Sequence, residues 1–280
     1  MRVIDLHIHP LVKEVVGKEE GLSLQEELFE LRTAPQPLET LLSQLDEAGV
    51  ERAALLALDC SPKGALPGNE EVASLVKRYP ERFVGFGSLN PRSLRDPAAS
   101  LRELIDGLGL KGIKLNPAIQ GFDPFSENSM SLYRELERLG VPLLVHTGMC
   151  WSPKHRIEYC KPLGWDSVAR RFPKLRIVLA HAGWPWIWDA VVVALRNENV
   201  FLDVSNTFTG SPAEHLNYLL TELIPKRVTE RFLYKKLVFG SDYPRIEIPK
   251  MVRAVEGLNL RKEVKEAILY HNPLKVLGED

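Results

Sequence analysis

Eight short apolar runs, each followed by a longer amphipathic stretch, constrain this chain more than any other feature. They are RVIDLHI (2–8), RAALLAL (52–58), RFVGFGSL (82–89), KGIKL (111–115), PLLVH (142–146), RIVLAH (176–181), VFLDVS (200–205) and KLVFGSD (236–242). All are rich in Val, Leu, Ile or Phe, the composition of buried strands. Between them the apolar residues fall at helical spacing. Leu38, Leu41, Leu42 and Leu45 share one face of PLETLLSQLDEAGV, which stops at Gly49. NEEVASLVKRYP, DPAASLRELIDGLG, SENSMSLYRELERLG, WDSVARRFP, WDAVVVALRNEN, SPAEHLNYLLTELI and RKEVKEAILYHN follow the same plan, and Pro80, Gly140 and Pro173 are helix stops. Strands that alternate with helices pair in parallel through right-handed crossovers. Eight such units in 280 residues predict an α/β fold, a closed (β/α)8 TIM barrel. A doubly wound open sheet is the alternative, but its dinucleotide-binding form wants G-x-G-x-x-G after the first strand, where this chain has HIHP.

Loop lengths agree with a barrel. Helix-to-strand turns are short (LGVP, PKLR, NENV), whereas strand-to-helix segments are long, above all after the first and fifth strands. In a barrel the long segments gather at the rim that carries active sites. Residues 11–36 read as a lid insertion, with Ser23 and Glu26 as a capping box in GLSLQEELFEL; a plain surface insertion accounts for them equally well. With no internal repeat, low-complexity segment or boundary, a single domain spanning 1–280 is expected.

Thirty-six basic against 37 acidic side chains leave a net charge of −1, no field for nucleic acid or an anionic membrane. Cys60, Cys150 and Cys160 form no C-x-x-C pair and read as reduced thiols. No apolar run approaches the ~20 residues of a membrane helix. The first ten residues, with Asp5, two histidines and Pro10, do not read as a secretory signal. A cytoplasmic protein that handles a small molecule is the expectation.

Four of the seven histidines fall where strands end: His7 and His9 in DLHIHP, His146 in LLVHTG and His181 in LAHAGW. Asp242 holds the same position in FGSDYP, and Lys114 lies on the fourth strand in GIKLNP. Alternation along the first strand puts His7 and His9 on one face with Val3 and Asp5, and Ile4, Leu6 and Ile8 on the other. A lone strand-end histidine is more often a hydrogen-bonding group than a ligand. Four imidazoles and a carboxylate at corresponding strand ends are the donor set of a borderline cation such as Zn²⁺, bound at ~2.0–2.2 Å. Gly112 and Gly240, two residues before Lys114 and Asp242, leave room beneath such a site. Lys114 is open to three roles: a carbamylated bridging ligand, a substrate-binding cation, or the partner of a neighbouring acid.

The order DLHIHP, GIKLNP, LLVHTG, LAHAGWPWIWDAVVVAL, NVFLDVSN, FGSDYP and HNPLKVLG resembles the amidohydrolase superfamily of metal-dependent barrels along essentially the whole chain. The nearer likeness is to its amidohydrolase-related branch, which holds small hydrolases, lactonases and decarboxylases similar to aminocarboxymuconate-semialdehyde decarboxylase. The resemblance implies His7, His9, His146 and Asp242 as ligands of one divalent ion, with zinc favoured. It makes His181 a group that acts on substrate or water; in two-metal members that histidine and a carbamylated lysine, here Lys114, are both ligands. Asn116 stands where relatives often carry histidine. The implied reaction is hydrolysis of a small amide, lactone or cyclic carbonyl compound by activated water, with Asp242 taking the proton and His181 polarising the carbonyl. Lys114, Asn116, Trp184 and Arg245 are candidate substrate contacts, while Trp188 is expected to pack at the start of its helix. Non-oxidative decarboxylation of an aromatic or muconate-like acid is the rival reaction, and a non-catalytic ligand-binding barrel the rival class. A homodimer is consistent with the relatives.

Overall fold

The computed structural model describes residues 1–16, 19–29, 33–206 and 210–279, with the side chains of 19 and 20 left aside. Eight strands form one sheet in sequence order: β1 (Val3–Ile8), β2 (Val50–Leu56), β3 (Phe83–Gly87), β4 (Gly112–Leu115), β5 (Leu143–Val145), β6 (Ile177–Leu179), β7 (Val200–Asp203) and β8 (Leu237–Val238). Every neighbouring pair is parallel. The last strand returns to the first: Leu6 N–H donates to Phe239 C=O at 3.0 Å, and Asp242 N–H to His7 C=O at 2.9 Å. The expected (β/α)8 barrel is thereby formed.

Helices pack outside the strands. The one over Leu38–Glu47 buries Leu38, Leu41 and Leu45 at its predicted spacing, roughly 1.5–3 kcal/mol per side chain. Asp96, Asn116, Ser126 and Ser211 each accept a backbone N–H of the first helical turn that follows them, so loop polar residues fix where these helices begin. Ile4, Leu6, Ala54, Leu56, Phe86, Leu144, Val178, Phe201 and Val238 fill the barrel interior. Val276, from the last helix (Asn272–Leu277), closes the lower mouth. The floor beneath the upper rim is therefore apolar.

Two local expectations change. Strict alternation along β1 fails, because Ile4 and Leu6 join the interior while Ile8, expected on their face, packs with the outer layer. The register slips between Asp5 and Ile8, which pair with Ala53 and Leu55, so β1 carries one extra residue there. That bulge lets His7 face inward as well. Ser23 lies inside the helix Glu19–Phe29 rather than at its start.

Candidate metal and catalytic site

The strands are shorter than the apolar runs, so the chemistry-bearing residues stand just beyond their ends. His146 follows β5 directly, His181 lies two residues past β6, and Asp242 follows the three-residue segment after β8. His181, Ala182, Asn206 and Asp242 are the non-glycine residues with positive φ among those described, at 57°, 46°, 68° and 60°. All lie at the upper rim. An L-residue pays for this conformation with a Cβ clash, and such strain concentrates at sites that need a side chain aimed where a regular strand would not point it.

His7, His9 and Asp242 converge, with ligand atoms all within 4.8 Å of one another. His7 Nε2 is 3.3 Å from His9 Nε2. Asp242 Oδ1 lies 3.5 Å from the first and 3.6 Å from the second. His146 stands one ring further out. Its Nδ1 is 3.2 Å from His181 Nε2, and the His181 ring centroid is 5.1 Å from that of His7. The tight trio thus holds three of the four expected ligands. Lys114 is buried, with Nζ 3.2 Å from His7 Nε2. Arg245 Nε is 3.9 Å from Asp242 Oδ2.

Burial sets the protonation states. It holds His7, His9 and His181 well below the usual imidazole value, and positive neighbours add to the effect. His146 is lowered to about 3 by the same cause. Neutral imidazoles are the form that binds a cation. Burial also raises the Asp242 carboxyl, against the pull of Arg245 and Lys114, and lowers the Lys114 ammonium. A proton, a lysine or a divalent ion can satisfy the converging lone pairs, and two neutral imidazoles with a carboxylate suit the ion by donor type. The residues present therefore fit a divalent metal.

A second layer holds this trio, and the sequence reading did not single it out. Asp5 Oδ1 accepts the backbone N–H groups of His7 at 2.9 Å and Ser241 at 3.0 Å, joining the bulge of β1 to the segment after β8. Its carboxyl is pushed up to about 7 by burial. Asp203 Oδ2 is 2.5 Å from His7 Nδ1, and burial raises this carboxyl to about 6. The signal for Asp203 was present in VFLDVS: it alternates in register with inward-facing Phe201.

A cavity opens above the trio. Lys114, Asn116, His181 and Arg245 line it, as do Leu28, Phe29 and Trp151. Asn116 also caps the turn Pro117–Gln120 by accepting Ile119 N–H at 3.2 Å. Trp184 is not among the lining residues. It packs half-buried against the outer core, and the aromatic wall comes from Trp151 on the loop after β5. Trp188, expected to pack, is 48% exposed.

The Amidohydro_2 family model, described as amidohydrolase, matches residues 4–278. A 2-amino-3-carboxymuconate-6-semialdehyde decarboxylase of Dictyostelium discoideum is 24% identical over 238 residues, covering 76% of this chain and 66% of that protein, just under two thirds of its length. Among solved structures, an uncharacterised TIM-barrel protein of Bordetella bronchiseptica superposes with a TM-score of 0.79 at 23% identity, covering 100% of this chain and 99% of its own. A probable 2-pyrone-4,6-dicarboxylic acid hydrolase from Acinetobacter baumannii, solved with citric acid bound, reaches 0.69 at 18% identity over 99% and 100%. These structural likenesses establish the fold. The family match runs from β1 into the closing helix, and the chain belongs to the amidohydrolase family.

Proposed function

We propose that the protein is a metal-dependent hydrolase of a small planar substrate that carries a carboxylate beside an amide, lactone or cyclic carbonyl group. The observation that carries this reading is the place of Asp242, its carboxylate beside the Nε2 atoms of both His7 and His9 and in the cavity wall. His7, His9 and Asp242 would hold the ion, with His146 as the outer candidate. When bound, the ion supplies Lewis-acid charge at the substrate oxygen and acidifies water.

The chain's own groups do the rest. Burial lifts Asp242 above the ordinary carboxylate range, toward the values at which one group can first accept and then return a proton. His181 lines the same cavity and serves the oxygen on which negative charge develops. Lys114 and Arg245 supply positive charge in a wall that is otherwise largely apolar, which suits an anionic group on a flat body.

A second reading is decarboxylation, favoured by the printed activity of the Dictyostelium relative. There Asp242 or His181 would deliver the proton to carbon, and the two cations would orient the departing carboxylate. A panel of lactones, cyclic amides, and aromatic and muconate-like acids, run at matched zinc content with trapping of released gas, separates the two. Ring or amide opening without CO₂ supports hydrolysis. Stoichiometric CO₂ overturns it in favour of the second reading.

A further inference from the structure

The loop after β5 brings two thiols together. Gly148 N–H donates to Cys160 C=O at 2.8 Å, so the loop folds back beside its own start. Cys150, two residues on, is half-buried and lines the cavity. Cys160, at the end of the turn Ile157–Cys160, is buried. The Cys150 and Cys160 side chains are in hydrogen-bond contact. The Ser152 backbone also faces the Cys150 sulfur, and Arg245 adds positive charge from the segment after β8.

These surroundings split the pair. The Cys160 thiol, then the Ser152 backbone and Arg245, lower the Cys150 thiol against the effect of burial. Contact with Cys150 and burial both raise Cys160. Cys60 is buried elsewhere, packed with Leu24 and Leu28, and burial pushes it up to about 12. The thiolate is the form that attacks an oxidant. An accessible, acidified thiol beside a second thiol is the arrangement in which one cysteine is oxidised and the other resolves it. The hydrolytic chemistry described above uses neither sulfur.

We propose that Cys150 and Cys160 form a peroxide-sensitive dithiol in the cavity wall, with Cys150 as the attacking and Cys160 as the resolving cysteine. The Cys150 sulfur attacks one oxygen of hydrogen peroxide and the O–O bond breaks. The hydroxide that leaves takes the proton shed by Cys150 and departs as water, and Cys150 becomes a sulfenic acid. The Cys160 sulfur then attacks the Cys150 sulfur. An S–S bond forms, the S–O bond breaks, and a second water leaves with the Cys160 proton. Two thiols are oxidised by two electrons and one peroxide is reduced. The bond closes the segment 151–159, which carries Trp151 in the cavity wall and His155 against Leu28 C=O at 2.8 Å. This inference does not depend on the reaction or on the ion site.

The test exposes the folded full chain to stoichiometric hydrogen peroxide, then denatures and alkylates it and maps the cysteine peptides by mass spectrometry. A Cys150–Cys160 disulfide within one chain is expected, reversed by dithiothreitol and formed at least about tenfold faster than Cys60 is oxidised. Cys160→Ser should hold Cys150 as a sulfenic acid that dimedone captures. Cys150→Ser should leave Cys160 as a free thiol over the same interval, with circular dichroism confirming that both variants fold. Equal reaction of the three wild-type thiols, or oxidation of Cys150 with no bond to Cys160, overturns the proposal. So does a Cys150→Ser protein whose Cys160 is oxidised at the wild-type rate. The wild-type rates and peptide map decide the matter even where a variant fails to fold.

Discussion

Asp242 occupies left-handed backbone, at φ 60°, with its carboxylate within 3.6 Å of two imidazole nitrogens. Holding a non-glycine residue there costs on the order of 1–3 kcal/mol, and the site spends stability on aim. Asp242→Ala should cut turnover at least about 10²-fold and lower zinc content, while circular dichroism stays that of the wild type. His181→Gln should lower turnover about 10²–10³-fold yet keep zinc content, because the donor is lost and the ligands are not. Equal zinc loss in both variants would contradict this division. The residue types of the trio were legible because strand ends are where a barrel displays them. Asp203 was legible by the same parity, but it was not singled out as a site residue. Trp184 was misplaced because the backbone turns left-handed at His181 and Ala182, which redirects everything after it. No single-sequence pattern announces that turn.

At the scale of elements, β1 and β8 matter most. Apolar runs identify both, but the bulge in β1 appears only once β2 supplies the register. The run KLVFGSD contributes only Leu237–Val238 as strand, since Gly240 lies where His7 must pass. A Cβ on Gly240 would come within 2.6 Å of His7 Cβ and 3.0 Å of Asp203 Oδ1. This is the room beneath the site that the glycine spacing suggested. Gly240→Ala should therefore displace His7 and weaken zinc binding by at least about tenfold, since loss of outer-layer support carries costs of that order; unaltered affinity in chelator competition would contradict it. The helix Glu19–Phe29 reaches the cavity through Leu28 and Phe29. His155, from the loop after β5, meets Leu28 C=O through Nε2 at 2.8 Å. The two longest strand-to-helix segments thus touch above the site, a contact that loop length alone did not specify.

The whole molecule sets a polar rim on an apolar floor. That arrangement explains why burial is the largest influence on every displaced titration at the centre. It reaches beyond the centre too. His215, on the helix Pro212–Asn217, is buried and lowered from 6.5 to about 4. A histidine whose folded value lies below its unfolded value stabilises the fold above the unfolded value. That stability is lost as pH falls from 6.5 toward about 4. His215→Gln should thus show a smaller drop in melting temperature between these pH values than wild type, and an identical drop would contradict the assignment. The topology was readable from eight apolar runs because each must find two neighbours and a helix. The substrate was not, because its pocket is built by loops that obey no period. The central claim is that His7, His9 and Asp242 grip one divalent ion. Anomalous diffraction at the zinc edge from zinc-loaded crystals tests it most directly. One peak per chain is expected, ~2.0–2.2 Å from both Nε2 atoms and an Asp242 oxygen; a zinc-loaded crystal with no peak among those three side chains would contradict it.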